Sequence, residues 1–457
     1  MIDLDVNIPD SFFQTILEQF FEREYLNETE NKKFNYVRTK ALTSIKWVQI
    51  ERLPIHPNQN ESYDLLTRWQ GVLSSLHVWN YRLIFLLMRR DGQTKIYLGT
   101  TSDNPHVTPE VALEQIKEAT SASMPGIGLK TLDKMEVYDE IAHPLSNFRE
   151  AGGVTGIPSF HKVEDRNLIQ TLDPLAFGVR DSTGNEKDYA LVVISEPIKD
   201  SDVADIIARL RSLGSKIHTA VKMTGSQTST RTTTHGLHSS AVSGLGILGT
   251  VLGSVIGMSS GNTSLGKDLG SSLGGSIGAF LGLDGTVTGG GSAGVNSDFL
   301  DKFAQYAETM ADKHVDRLTE GRNLGFWNCG VYVLANLAKD ITTVTGMLRS
   351  IYSGDETYLE PIRLHLFKRD SNAKEIISEQ FRLLPLDDID LTKEAGRLNF
   401  NDGQWHLLGK EYQFVSTPVN TKELSLVTSL PRRDVPGLRF IKTAVRFANN
   451  PAILDGD

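Results

Sequence analysis

The chain has 457 residues, a hydrophobic fraction of 39%, a charged fraction of 23% and a formal net charge of -9. That length suffices for two to four domains with well-filled cores, and the acidic balance argues against a protein that binds nucleic acid over its whole surface. One cysteine, Cys329, rules out an internal disulfide and any multi-cysteine metal site, and it suits a reducing cytosol.

The amino terminus, MIDLDVNIPDSFF, has no basic segment followed by an apolar core, so a secretory leader is not expected. No stretch reaches the roughly 20 apolar residues of a spanning helix. SFFQTILEQFFEREYL places Phe12, Ile16, Phe20 and Phe21 at helical spacing. DLLTRWQGVLSSLHVW, residues 64–79, is a second amphipathic helix. YRLIFLLMRRDGQTKIYLGTTS then predicts a hairpin turning at Asp91-Gly92, and PEVALEQIKEATSASM another helix. This helix–strand–strand–helix order predicts a small α+β sandwich over residues 1–150.

Residues 151–222 repeat that style and form the first half of a second α+β domain. AGGVTGIPSF is turn-rich, PLAFGVRDSTGNEKDYALVVISEP reads as a hairpin, and SDVADIIARLRSLGSKIHTAVK is a periodic helix with Ser201 as its cap. Composition breaks over residues 223–297, which are glycine, serine and threonine with small apolar residues. The second half of the domain, 298–370, opens with a long helix capped by Ser297, followed by the strand FWNCGVYVLA and the helix DITTVTGMLRSIYSG. Residues 371–457 are short strands and loops. The expected class is therefore α+β, with mixed sheets and packed helices interrupted by a glycine-rich hairpin.

Within the insertion, Gly249, Gly253 and Gly257, and then Gly266, Gly270, Gly274, Gly278 and Gly282, recur every four residues. That spacing lines one face of each of two helices, a glycine zipper that lets a neighbouring helix approach closely. SSGNTSLGKD is the natural turn between them. At about 1 kcal/mol per glycine relative to alanine, such helices require a partner: each other, neighbouring subunits, or lipid contacted through residues 242–283. The uncharged runs, 17 residues from Val242 to Met258 and 15 from Leu269 to Leu283, are short for a straight span.

GNTSLGKD falls one residue short of a phosphate-binding loop, with Gly261, Gly266 and Lys267 in place. Asp268 stands where a magnesium-binding hydroxyl belongs, and no buried strand precedes it. A packing hairpin or spacer is the better reading of this stretch than a nucleotide site. His235 and His238 are close together but have no carboxylate or cysteine near them in the sequence. Glu196, at the end of an apolar strand, is followed by Pro197 and reads as part of a core strand. Arg432 and Arg433 stand directly before Asp434 in what reads as a solvated loop, and Cys329 reads as a small buried hydrophobe. No catalytic constellation and no metal or cofactor site emerges from these residues.

Four stretches, taken in order, carry a resemblance: GGVTGIPS; NLIQTLDPLAFGVRD with YALVVISEP; EGRNLGFWNCGVYVLA; and LRSIYSGDETYLEPIRLHLF with LSLVTSLPRRDVPGLRF. Over roughly residues 65–445 the chain resembles the amino-terminal, pre-motor region of HerA-like ATPases of the HerA/FtsK group. Gly321, Arg322, Gly325, Trp327 and Tyr332 stand at the places of that family's GRxxGxW…VYV strand. The resemblance implies a non-catalytic accessory region of a ring-forming, usually hexameric, DNA-translocating or secretion-type motor. It implies ATP and magnesium only in a motor domain that would follow Asp457, and it carries no ATP-binding residue onto this chain. Its implied partners are further copies of itself, a nuclease or effector subunit, and DNA through the motor, with anti-phage defence among the family's roles. The expected location is the cytoplasm. The second reading is a membrane-associated or pore-contacting protein that inserts its glycine hairpin.

Overall fold

The computed structural model describes residues 17–31, 33–34, 45–55, 62–102, 106–161, 170–226, 302–385, 406, 408 and 410–442. Strand β1 (Lys46–Ile55) is followed by helix α1 (Ser62–Val78), strands β2 (Tyr81–Arg90) and β3 (Gln93–Ser102), helix α2 (Pro109–Ser123) and strand β4 (Gly128–Thr131). Asp91 and Gly92 join β2 to β3 with φ of 50° and 72°. Two consecutive positive φ angles give the turn whose twist matches that of the flanking strands. Thr108 caps α2 through its side chain, and Pro109 at the first helical turn removes a donor that would have no partner. The strands are ordered β4-β1-β3-β2, all pairs antiparallel, which is the split βαβ arrangement.

The next part of the chain builds the same order again. Strand β5 (Glu150–Thr155), a short helix Asp173–Phe177, strand β6 (Tyr189–Ile198), helices α3 (Asp200–Ser226) and α4 (Lys302–Arg322), strand β7 (Phe326–Ala335), helix α5 (Ala338–Tyr352) and strand β8 (Arg363–Phe367) follow in sequence. Their sheet order is β8-β5-β7-β6, again antiparallel throughout. Each repeat would leave its second strand at an edge. Instead the two edges pair: β2 and β6 run antiparallel, with Phe85 opposite Val193 and Leu86 opposite Val192. Joining equivalent strands in this way relates the repeats by a local twofold axis.

Two short strands complete the sheet. β9 (Thr417–Asn420) pairs with the first half of β7, and β10 (Arg439–Lys442) runs parallel to the end of β1. Between them lies helix α6 (Thr421–Val427), with a capping box at Asn420 and Glu423. The α+β class with helices packed on a mixed sheet is thus realised as one ten-stranded sheet, to which segments 1–150, 151–222, 298–370 and 371–457 all contribute strands.

β2 and β6 are buried on both faces, so they read as continuous apolar runs. Leu83, Phe85 and Leu87 join a core beneath α1, α2, α5 and α6 that includes Trp69, Leu191, Val193, Val333, Ile341 and Leu348. Ile84, Leu86 and Met88 face the other way, with Val192, Ile194, Tyr332 and Leu334. That second face is covered by Ile141, Leu145, Ile376 and Ile377 from short helical turns at 134–147 and 373–380, and by Phe381 just after the second. A third cluster joins α3 and α4 to Leu17, Phe20 and Phe21.

Two sequence expectations are corrected. The hairpin expected over 174–197 has only β6 as a strand: its first half is the helix Asp173–Phe177 and a turn bound by the Asp181 carboxylate, with one bridge between Arg180 and Glu186. Asp173 and Pro174 open a helix more readily than a strand. The amphipathic stretch near the amino terminus contains a π turn, Leu17–Phe21, and a 3-10 segment, Glu24–Asn31, separated by Arg23 at φ 53°.

Helix α5 lies so close to β5 that a Cβ on Gly152 would sit 2.3 Å from Ile341 Cγ2 and 2.7 Å from the carbonyl oxygen of His365. Gly152→Ala should therefore destabilise the protein by about 1–3 kcal/mol through overpacking. A urea midpoint equal to that of the unaltered protein would contradict this close approach.

Candidate functional site

In the first repeat a two-residue turn closes the β2–β3 hairpin. In the second, the equivalent β6–β7 hairpin is open, and residues 199–325 stand in place of the turn. The strand register reaches Ile198 opposite Phe326, and the helices continue it: Asp200 binds Arg322, Gly214 lies beside Ala311, and His218 Nδ1 lies 2.7 Å from Glu308 Oε1. α3 and α4 are thus an antiparallel helical arm growing out of a β-hairpin. At about 1.5 Å per residue, the 27-residue α3 is about 40 Å long. Ile206, Leu210, Leu213 and Ile217 on α3 share one buried cluster with Ala307, Met310, Ala311 and Leu318 on α4.

His77, at the end of α1, fills the open mouth of the hairpin. Its Nε2 lies 3.1 Å from the carbonyl oxygen of Ile198 and 3.2 Å from the backbone nitrogen of Phe326. Its ring meets Trp327 edge-on at 5.3 Å. Gly325, with φ 101°, passes so close that a Cβ there would come within 2.3 Å of the imidazole. Trp327 Nε1 donates to Thr421 Oγ1 at 3.0 Å, and the Tyr332 hydroxyl donates to the carbonyl of Val415 at 2.9 Å. Gly321, Arg322, Gly325 and Trp327 therefore form a structural joint between arm and sheet, while Tyr332, farther along β7, ties the sheet to the carboxy-terminal segment.

Two buried ion pairs fix this base. Arg317 on α4 donates from Nε to Glu423 Oε1 at 2.6 Å and from its terminal nitrogen to Glu423 Oε2 at 2.5 Å and to the Pro418 carbonyl at 2.7 Å. Arg23 donates to Glu360 Oε1 at 2.6 and 3.1 Å, and to the carbonyls of Tyr412 at 3.0 Å and Ser416 at 2.8 Å. Burial opposes each guanidinium charge, and the carboxylate beside it more than restores it, so both arginines titrate above their ordinary value. One pair ties the arm to α6, the other the amino-terminal segment to the loop before β8 and the strand-forming tail.

Two buried histidines lie nearby. His314 on α4 stacks on Phe21 with centroids 5.0 Å apart. His365 on β8 is held between Thr29 Oγ1 at 2.9 Å and Thr155 Oγ1 at 2.8 Å. Burial first, then the charges of Arg317 beside His314 and of Arg363 and Arg23 beside His365, push both imidazoles down to about 3.

Gly249, Gly253, Gly257, Gly261, Gly266, Lys267, Asp268, Gly270, Gly274, Gly278 and Gly282 lie outside the described residues, as do His235 and His238. Glu196 is ion-paired with Arg82 on the neighbouring strand. Cys329 is buried in β7 with Ser195 Oγ 3.8 Å away, and burial pushes its thiol up to about 12. At Arg432 it is the backbone nitrogen that binds, donating to Asp173 Oδ1 at 2.7 Å. Among the described residues no three His, Cys, Asp or Glu side chains are grouped to hold a metal ion, and no helix is long and apolar enough to cross a membrane. Sequence reasoning missed the two Arg–Glu pairs, whose members are 337 and 106 residues apart. Comparison with protein-family models, with curated proteins and with solved structures finds no match for this chain.

Removing Glu360 strands a buried guanidinium, and Glu360→Ala should cost about 3–5 kcal/mol. A loss under about 1 kcal/mol in urea unfolding would show that water reaches Arg23. The histidines add a pH dependence. Their folded pKa lies below the unfolded value of 6.5, so their stabilising contribution is complete above that pH and is lost as pH falls from 6.5 toward 3. The urea midpoint should therefore be lower at about pH 5 than at about pH 7.5, and His314→Phe should flatten the difference. An unchanged pH profile in that variant would exclude His314 as its source.

Proposed function

We propose that this chain is the non-catalytic assembly and partner-docking region of a HerA-like ATP-driven DNA translocase or secretion-type motor. The observation that carries the reading is an antiparallel helical arm, its base fixed by buried ion pairs, whose two helices are joined in the sequence by the glycine-rich segment. A segment of four-residue glycine spacing offers faces that admit another helix at close range. A helix pair rooted in the sheet restricts where the segment joined to it can go, so association loses less conformational freedom than it would from a loose tail. On this reading further copies of the chain are the first partners, arranged as a ring. A nuclease or effector subunit docks on the assembled sheets, and ATP, magnesium and DNA belong to the motor part of the machine. Anti-phage defence is one setting in which such a motor works.

The test is mass by light scattering, in buffer and in detergent, for the chain and for a variant in which a short flexible linker replaces 227–301. A discrete oligomer in buffer that becomes a folded monomer on deletion is the expected result. Two folded monomers of equal behaviour would overturn the assembly role. Aggregation relieved only by detergent, and abolished by the deletion, would transfer the segment to a membrane.

A further inference from the structure

The sheet register separates the molecule into two ends. Ile198 and Phe326 mark the end from which the helical arm grows, whereas Arg89, Tyr189, Ala335 and Glu150 are aligned across β2, β6, β7 and β5 at the other. Just beyond Glu150, where β5 begins and β8 ends, lies a cavity of about 210 Å³. Arg149, Lys368, Arg369 and Lys374 line it, against one lining carboxylate, Glu375. The chain as a whole carries a net charge of -9, so this concentration of cations runs against its overall balance.

The four cations differ in how far they are already engaged. Arg369 is held by Glu150, whose carboxylate accepts from its Nε at 2.5 Å. Lys374 gives one of its three donors to the carbonyl of Ser146 at 2.7 Å. The side chains of Arg149 and Lys368 have no hydrogen-bond or ion-pair partner among the described residues, and both are exposed. Asn372, in the same wall, is fixed by accepting from the backbone nitrogen of Phe34 at 2.8 Å and by donating to the carbonyl of that residue. The wall is therefore anchored while two cations and part of a third remain free to bind. Like charges gathered in a concavity repel one another and concentrate a positive potential there. An anion with several acceptor oxygens relieves that repulsion and takes up the free donors.

We propose that this pocket binds a phosphate group, with Arg149 and Lys368 as its principal ligands and Lys374 as a third donor. The cavity is smaller than the roughly 300 Å³ at which sites for drug-sized molecules begin. It admits a phosphate or diphosphate while leaving a nucleoside outside. A free diphosphate and the phosphorylated end of a nucleic acid share that chemistry. The site lies at the opposite end of the sheet from the arm and does not depend on the assembly reading.

Titration calorimetry with inorganic pyrophosphate tests this directly on the whole chain. Saturable binding is expected, weaker at higher salt, and reduced by about tenfold or more in Arg149→Ala and in Lys368→Ala, each removing one charge-assisted contact. Both side chains are exposed, so unchanged melting temperatures should accompany the loss. Absence of binding, or binding equally tight in both variants, would overturn the site. Competition by a 5′-phosphorylated oligonucleotide but not by its 5′-hydroxyl counterpart would identify a nucleic-acid end as the source. Competition by neither would leave the free diphosphate as the ligand.

Discussion

The pairing of β2 with β6 is the constraint on which the rest of this architecture depends. A split βαβ unit on its own leaves its second strand at an edge, and an exposed apolar edge strand is a template for aggregation. Here each edge is the other's partner, with seven aligned residue pairs from Leu83↔Ser195 to Arg89↔Tyr189. Because both strands then lie in the middle of the sheet, both of their faces must be covered. Helices supply one cover, and the short turns around Ile141 and Ile376 supply the other. Burying a Leu, Ile or Phe side chain is worth about 1.5–3 kcal/mol, so these two strands hold much of the apolar stabilisation.

The twofold relation also decides where an insertion can be placed. Antiparallel pairing of β2 with β6 puts the two hairpin turns at opposite ends of the sheet. The first turn is held against the second repeat: the Asp91 backbone nitrogen donates to Asp188 Oδ1 at 3.0 Å, and Arg89 binds Glu186 Oε2 at 2.7 Å. Opening that turn would break those contacts. The second turn faces a region supplied by the amino-terminal segment, the end of α1 and residues 406–423. There the chain departs into α3 and returns through α4 without disturbing the ladder. Paired, hydrogen-bonded charges such as Arg317–Glu423 suit that base, because a mis-set register would leave them buried without partners.

The local elements were largely legible in the sequence. FWNCGVYVLA coincides with β7, the Asp91-Gly92 hairpin forms, and the periodic helices fall close to their expected ranges, because hydrophobic period and turn chemistry are local signals. What the sequence concealed is long-range. β9 and β10 have four residues each, too few to carry a pattern, and become strands only because β7 and β1 offer unpaired backbone beside them. The stretch before Asp181 looked like a strand because it is apolar, yet Pro174 and Gly178 bound a single helical turn. The cations of the basic pocket come from position 149 and from 368–374, so no run of charge announces them.

The two repeats share a strand order but divide the labour of the fold unequally. The first is closed by its own tight turn, and its β4 and β10 share the outer side of β1. The second gives up its turn and must recover the lost local closure from distant parts of the chain. Those parts are His77 from α1, Glu423 from α6, and Arg23, which meets Glu360 beside the carbonyls of Tyr412 and Ser416. Every one of these contacts spans at least 100 residues, and each involves a polar group whose burial is tolerated only when it is paired. Such contacts join residues that neighbour one another only on the completed sheet, so the direction of the arm is set by the whole fold and not by the two helices alone.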